Sequence, residues 1–439
     1  MIKASVSLAL ALLCFAVPLA AQDTTGPGVH ITLTYDPGVR PAVVVLPVPG
    51  ANGDSIAAIL RRDLDYGDRV NVIIIPDSMA AAIRGGLDST GTASTMNYGV
   101  FKTLGALAVV QARNTERGLH VALHDVLHRQ VIDVNEFALP QDVASRGWRL
   151  AVHRVSDEVE RWITGVRGIA ATRIAYVRDH AIHVVDSDGA DDITIPMVGE
   201  GLSPAWSPDA SSIAYATFGE NSRIVVYDLR TGQSRAFGGR RNTNVSAPTF
   251  SPDGSAIVYA VAGENGADLY SAPVAGGPAQ RLTVGRGTDN STPSFSPDGH
   301  RIAFTSGRAG PPEIYIMDAD GTNVSMFTAY GFSTQNYRSN PDWSPDGLTI
   351  AYQAYVPDGS GVFQIFTMSL RDQTPHQLTS DAQNEDPAWA PDARHLVFSS
   401  TRGGNKQLWV IDVQSGRVRQ LTHGASMSRL GAWSPRLAP

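Results

Sequence analysis

The chain has 439 residues, 35 Lys and Arg against 42 Asp and Glu, a formal net charge of −7 and a single cysteine. That length exceeds one ordinary domain, and a chain 43% hydrophobic and 18% charged is too apolar to be disordered. The acidic balance argues against a nucleic-acid or anionic-membrane partner, while 42 glycines and 27 prolines favour many tight turns between short strands.

Residues 1–21 read as a secretory signal peptide. Lys3 supplies a positive start, Ala4 to Leu19 run almost wholly apolar, and Ala20-Ala21 place small residues at the cut. The apolar run is shorter than the roughly 20 residues a spanning helix needs, so a soluble exported protein without membrane insertion is expected. Cys14 lies inside the leader and follows Leu13, where a lipoprotein signal would place Gly or Ala. The mature chain then has no thiol for a disulfide, a nucleophile or a metal.

From Gln22 to Gly168 nothing repeats, and the pattern is that of a mixed α/β domain. Strands are predicted at Val29–Leu33, Ala42–Leu46 and Val70–Ile75, with a helix over Asp54–Leu64 whose Ile56, Ile59, Leu60 and Leu64 share one face. Tyr98–Leu107 reads as helix and Ala108–Gln111 as strand. His120–Val126 and Gln130–Val134 form a predicted strand pair, and Asp157–Ile163 a helix with Asp157 and Glu160 as a capping pair at its start.

The second half repeats six times: Trp206-Ser-Pro-Asp209, Phe250-Ser-Pro-Asp253, Phe295-Ser-Pro-Asp298, Trp343-Ser-Pro-Asp346, Trp389-Ala-Pro-Asp392 and Trp433-Ser-Pro-Arg436, spaced 44, 45, 48, 46 and 44 residues. Each of the first five is followed by an apolar strand such as Ile302-Ala-Phe304, and a sixth copy, Ile174-Ala-Tyr176, precedes them all. Four short strands per repeat make one propeller blade. The array opens on a second strand and closes on a first, so the last strand is predicted to complete the first blade in a six-bladed β-propeller over residues 169–439. A linear solenoid would need capping repeats and leaves both half-units unexplained. In the turns, Gly254, Gly299 and Gly347 suit a positive φ, and Ala210 and Ala393 stand at the same place under expected strain.

Enzymatic chemistry finds no footing. There is no Gly-x-Ser-x-Gly elbow, no His-Glu-x-x-His and no phosphate-binding Gly-Lys-Ser/Thr. A separate catalytic domain is not expected after Ser434, five residues from the end. His120, His124 and His128 read as structural or surface groups, and His153 as part of the junction between the two halves. Acidic loop residues Asp289, Glu385 and Asp386 could in principle hold a divalent cation, but solvated charges are commoner there. No cofactor is expected.

The passage His153-Arg-Val-Ser-Asp157, followed by Thr164-Gly165 and Thr172-Arg-Ile-Ala-Tyr-Val177, together with the terminal Ala432-Trp-Ser-Pro435, resembles the TolB family of the Tol–Pal envelope system of Gram-negative bacteria. The resemblance implies a monomeric, non-enzymatic periplasmic adaptor. Its propeller face would hold a Pal-type peptidoglycan-associated lipoprotein, and its mature N-terminal segment, beginning Gln22, Asp23, Thr24 and Thr25, would engage a TolA-type inner-membrane protein. On the propeller, the resemblance points to the loops leading into the inner strands: Asn242, Asn244 and Ser246; Asp289, Ser291 and Thr292; Arg338 and Asn340; Glu385 and Asp386. Asn244 stands where the family is expected to carry a histidine. The alternative from another class is the propeller module of a peptidase-related or ligand-sensing exported protein, which would show a deep polar funnel with a histidine and a carboxylate in hydrogen-bond reach.

Overall fold

The computed structural model describes residues 39–76, 79, 96–197, 199–219, 221–239, 243–285, 288–328, 337–357 and 361–437. The leader, the segment from Gln22 to Thr25, the strand predicted at Val29–Leu33 and the candidate Asn242 lie outside them.

The first element, β1 (Ala42–Val45), is a short apolar run buried on both faces, as a central parallel strand must be. It pairs in parallel with β2 (Asn71–Val72) and with β3 (Ala108–Thr115), and β3 continues antiparallel into β4 (Gly118–Asp125) and β5 (Gln130–Phe137). The sheet order is β2-β1-β3-β4-β5. One face is covered by α1 (Gly53–Tyr66) and α3 (Arg146–Thr164), whose Ile56, Leu60, Leu64, Val152, Val155 and Val159 meet Val43, Val45, Leu119, Val121 and Leu123. On the other face Phe101 of α2 (Tyr98–Thr103) packs against Val44, Leu46 and Val109.

The last helix of this unit departs from the expectation. It starts at Arg146, capped by Ser145, whose Oγ accepts from the Trp148 amide at 3.2 Å, and ends on Gly165 at φ 77°. Asp157 is therefore mid-helix and caps nothing at its start; its carboxylate accepts instead from the amides of Ala170 and Ala171, at 2.6 and 3.1 Å, in the chain that leads to the propeller. Local spacing of Asp157 and Glu160 mimicked a capping pair, while the amphipathic run beginning at Trp148 is what the core selects. The strand predicted over Val70–Ile75 is likewise reduced to the two residues of β2.

From Arg173 onward, strands β6 to β29 form six four-stranded antiparallel sheets. Five follow chain order: β9 (Gly201–Trp206) to β12 (Ser234–Phe237), β13 (Asn244–Phe250) to β16 (Gln280–Arg281), β17 (Ser291–Phe295) to β20 (Ser325–Met326), β21 (Arg338–Trp343) to β24 (Pro375–Gln377), and β25 (Asn384–Trp389) to β28 (Val418–Gln420). The sixth joins the last strand, β29 (Ser428–Trp433), to β6 (Arg173–Arg178), β7 (Ala181–Asp186) and β8 (Ile193–Thr194). Ala432 lies opposite Ala175 and Trp433 opposite Ile174. Two side-chain bonds rivet this joint: Trp433 Nε1 donates to Thr172 Oγ1 at 2.8 Å, and the Arg173 amide donates to Ser434 Oγ at 2.9 Å. β29 thus covers the edge of β6 that would otherwise stand unpaired, and the ring closes.

Each Ser-Pro-Asp turn ends an inner strand in the same way. Ser251 Oγ donates to Asp253 Oδ1 at 2.5 Å and accepts from the Ala256 amide at 3.0 Å, while Asp253 also accepts from the Ser255 amide at 3.0 Å. Gly254, Gly299 and Gly347 have φ of 72°, 73° and 76°, and Ala210 and Ala393 are held at 57° and 54°. A left-handed alanine costs about 1–2 kcal/mol, which glycine escapes at about 0.5–1 kcal/mol of lost chain entropy. Ala393→Gly is accordingly expected to raise stability by up to about 1 kcal/mol, read as a higher urea midpoint at unchanged slope.

Candidate functional site

The inner strands carry a feature more specific than their turns. In all six, one residue breaks the ladder register against the second strand and takes a left-handed conformation: Ser203 (φ 50°), Ala247 (48°), Thr292 (46°), Asn340 (54°), Asp386 (54°) and Leu430 (55°). Each is a bulge. Proline follows in five blades and Gly431 in the sixth, and these residues ring a central cavity of about 450 Å³. Proline suits the position because it has no N–H to leave unmatched where the ladder slips.

On one side of the ring the bulges are held from the neighbouring blade. The Asn340 amide donates to Thr305 Oγ1 at 3.2 Å, the Asp386 amide to Gln353 Oε1 at 2.9 Å, and the Leu430 amide to Ser399 Oγ at 3.2 Å. The positions equivalent to Thr305, Gln353 and Ser399 in the other second strands are Val177, Ala216 and Ala260. The channel wall thus has a polar sector, with Thr292, Asn340 and Asp386, and an apolar one. Asn340 Nδ2 donates to Asp386 Oδ1 at 2.7 Å and Ser399 Oγ to its Oδ2 at 3.1 Å, yet burial still raises the pKa of Asp386. Asp342, next along the wall, is pushed up to about 6 by burial, although it accepts from the Trp389 amide at 2.7 Å and from Ser294 Oγ at 3.2 Å. No histidine lies among the described residues of this wall.

The residues expected at the lead-in loops separate into three groups. Asn244, Ser246 and Asp289 are exposed at the rim. Thr292, Asn340 and Asp386 are half-buried on the channel side, and Ser291, also half-buried, precedes Thr292 without lining the channel. Arg338 and Glu385 are engaged: Arg338 Nη1 donates to Glu313 Oε1 at 2.7 Å with both groups buried, and Glu385 is ion-paired with Lys406. Arg338 therefore ties its loop to the blade before it. The chain pattern missed the other three bulge residues of the ring, Ser203, Ala247 and Leu430. Its signal was the Pro or Gly two residues ahead of every blade aromatic.

The α/β unit meets the opposite end of the blades, at the Ala390-Pro391-Asp392 turn and the turns that end β7 and β27, through two buried charge clusters. In one, His153 Nδ1 lies 2.8 Å from Asp63 Oδ2, and its Nε2 lies 3.8 Å from both Asp186 and Asp188, which Arg149, Arg173 and Arg62 also neutralise. In the other, His395 bridges Asp392 at 2.8 Å and Asp68 at 3.4 Å. Beside it Arg394 binds Asp412 and the Asp68 carbonyl, and Arg417 binds Asp65 and Asp68. Both clusters have the atom spacing of a metal site. Arginines already compensate their carboxylates, so they read as ion-pair networks. The channel acids do not converge into such a group among the described residues.

Burial opposes the charge on His153, but Asp63, Asp186 and Asp188 outweigh it and push the pKa up to about 10. His124 behaves oppositely. Burial alone pushes it down to about 4, and as a neutral ring it links Tyr98 Oη at 2.9 Å to Gln111 Oε1 at 3.0 Å. His128 pairs with Asp125 at 2.6 Å in the turn that follows β4. His120, His124 and His128 do not converge on one point among the described residues.

A closed six-bladed propeller, bolted at its turn face to an α/β unit and open at its lead-in face, defines the class of this protein. The family profile described as the TolB β-propeller domain matches residues 160–437, and the chain belongs to that family. The Tol-Pal system protein TolB of Histophilus somni (strain 129Pt) is 31% identical over 230 residues, 47% of this chain and 50% of the relative. That of Acinetobacter baylyi is 29% identical over 240 residues, 52% and 54%. The chain thus spans about half the length of the curated relatives it matches. The crystal structure of TolB from Acinetobacter baumannii superposes with a TM-score of 0.76 at 26% identity, covering 90% of this chain and 97% of that one.

Two opposite pH dependences follow. His153 gains its carboxylate partners only on folding, so its contribution is complete below its ordinary pKa of 6.5 and fades as pH rises through about 10. His153→Ala should cost about 3 kcal/mol at pH 6, with the deficit shrinking as pH rises from 6.5 to about 10. For His124 the lowered pKa makes the contribution complete above pH 6.5 and lost as pH falls toward about 4. Wild type should lead His124→Gln at pH 7 in chemical denaturation, and the lead should narrow toward pH 4.

Proposed function

We propose that the protein is an exported, non-enzymatic adaptor of the Tol–Pal type, working in the periplasm. Its lead-in face and channel mouth hold a Pal-type lipoprotein, and the segment beginning Gln22-Asp23-Thr24-Thr25 engages a TolA-type inner-membrane protein. Linking these two partners would support outer-membrane integrity and constriction during division. The reading rests on family membership together with one structural observation: the charge clusters that seat the α/β unit occupy only the turn end of the blades, so the strained, proline-backed rim at the other end carries none of that contact.

The chemistry of that rim suits recognition. Its side chains stand on strands locked by the neighbouring blade, so little conformational entropy is lost on docking. Exposed Phe218, Val284, Tyr337 and Met427 sit on the same ends of the blades, giving apolar contact area around the polar channel mouth. The carboxylates within the wall, Asp342 and Asp386, are bound by amides and hydroxyls and have no histidine beside them among the described residues of the wall, which favours binding over hydrolysis. No helix of the described residues is long and apolar enough to cross a membrane.

The decisive experiment is capture of purified Pal by the mature protein. Binding at micromolar concentration is expected, weakened about tenfold or more when Asn244, Ser291 and Thr292 are changed to Ala with the thermal midpoint retained, the loss typical of interface residues that matter. No capture by the unaltered protein would sink the proposal. Deleting residues 22–30 should abolish TolA capture and leave Pal capture intact; loss of both would refute the separate roles assigned to segment and propeller.

A further inference from the structure

Five blades, counting His183 opposite Tyr176, carry an aromatic pair on facing positions of their second and third strands, the β9–β12 blade placing Val225 opposite Tyr215, and what surrounds the pair sets one junction between blades apart. In the β17–β20 blade, Arg308 lies over the pair, its Cζ 5.3 Å from the Phe304 ring and 4.8 Å from Tyr315. Its Nε donates to Ser306 Oγ and its Nη2 to Asn290 Oδ1, each at 3.0 Å. Arg402 repeats this arrangement in the β25–β28 blade, 5.2 Å from both Phe398 and Trp409, with Ser400 Oγ and Asn384 Oδ1 at 3.1 and 3.2 Å. In the closing blade Arg178 stands 5.1 Å over Tyr176. In the β17–β20 and β25–β28 blades, then, the space at the outer end of the aromatic pair is filled by a guanidinium stacked on both rings.

The β13–β16 blade keeps the rings and changes what surrounds them. Tyr259 and Tyr270 face each other across the ladder with centroids 6.4 Å apart, and Phe237 of the preceding blade meets Tyr259 edge-on at 6.4 Å. Four residues after Tyr259, the interval that separates Phe304 from Arg308 and Phe398 from Arg402, stands Gly263. The serine and asparagine that bind those arginines are replaced by Val261 and Val245. The threonine that elsewhere ties the fourth strand to the next loop, as Thr283 does through Asp268, is here Gly238. A cavity of about 590 Å³ opens between the two blades, lined by Phe237, Gly238, Tyr259, Val261, Gly263 and Tyr270. Its mouth carries Glu264, with Asp268 and Arg281 bound to one another beside it.

We propose that this cavity is a second docking site, separate from the channel mouth, which receives an arginine side chain from a partner polypeptide. The guanidinium slides against Tyr270 in the manner of Arg308 and Arg402 in their own blades, and Glu264 at the mouth supplies the counter-charge. The volume exceeds that of one side chain, so the backbone flanking the arginine is accommodated as well. Gly263 is outside the left-handed region, and a Cβ on it would meet only Thr243 Cγ2 at 3.9 Å, so the chain tolerates a side chain there.

That tolerance supplies the test. Acetyl-Gly-Arg-Gly-amide is titrated against the full mature protein, with saturation-transfer NMR reading contact at the arginine methylenes. Saturable binding at millimolar concentration or tighter is expected, with at least fivefold stronger transfer than to acetyl-Gly-Leu-Gly-amide. Gly263→Arg, which restores in this blade the arginine of its sisters, should abolish binding with the thermal midpoint unchanged or raised. Tyr270→Ala should weaken binding at least fivefold and Glu264→Gln about threefold, and these two decide the matter if Gly263→Arg does not fold. Equal binding of the leucine peptide, undiminished binding by the folded Gly263→Arg and Tyr270→Ala variants, or binding of N-acetylglucosamine in place of the arginine peptide would overturn the proposal.

Discussion

Pairing of the last strand with the first blade is the constraint from which the rest follows. β29 supplies the inner strand that β6 to β8 lack, with Trp433 and Ser434 bonded into Thr172 and Arg173. Without that joint the chain would present an open inner edge and its blades would have no common axis. With it, six equivalent bulges converge on one channel, and the α/β unit is drawn to a defined place, because Arg173 and the 164–172 passage lie where closure occurs.

Closure also gives the molecule two unlike ends. At the turn end, histidines held charged among buried carboxylates and arginines form the seam with the α/β unit. Such networks are costly to half-dismantle, since removing one member leaves uncompensated charge in a dry interface. At the lead-in end the charges are fewer and the strain greater: six left-handed residues, none of them glycine, persist because proline and the neighbouring blade leave them no easier geometry. The rigid seam and the preorganised rim are therefore products of one ring, and a partner at the rim meets a surface already set.

The repeat was readable because each blade turn solves the same local problem. Serine and aspartate bond their own turn amides, proline presets the bend, and glycine takes the positive φ, so the motif recurs wherever a first strand must reverse. The strain expected at Ala210 and Ala393 is present for the same reason. The final helix was not readable from Asp157 and Glu160, because the same acidic spacing serves a cap or a buried anchor. Only the packing of Trp148, Val152 and Val155 on the sheet decides between them. Arg338 shows the limit at the site: a charged residue in a loop ahead of a proline looks like a contact residue, and Glu313, 25 positions away, is what occupies it.

By itself the sequence determined the six-bladed count, the permuted closure and the resemblance to the TolB family, since these depend on periodicity and on turn chemistry within a few residues. Tertiary structure decided which groups are free and which are spent: the burial of His153 among Asp63, Asp186 and Asp188, the polar and apolar halves of the channel, and the cavity beside Tyr270. Those properties belong to neighbours tens to hundreds of residues apart, and the charge or exposure of a side chain is set by what the fold brings against it.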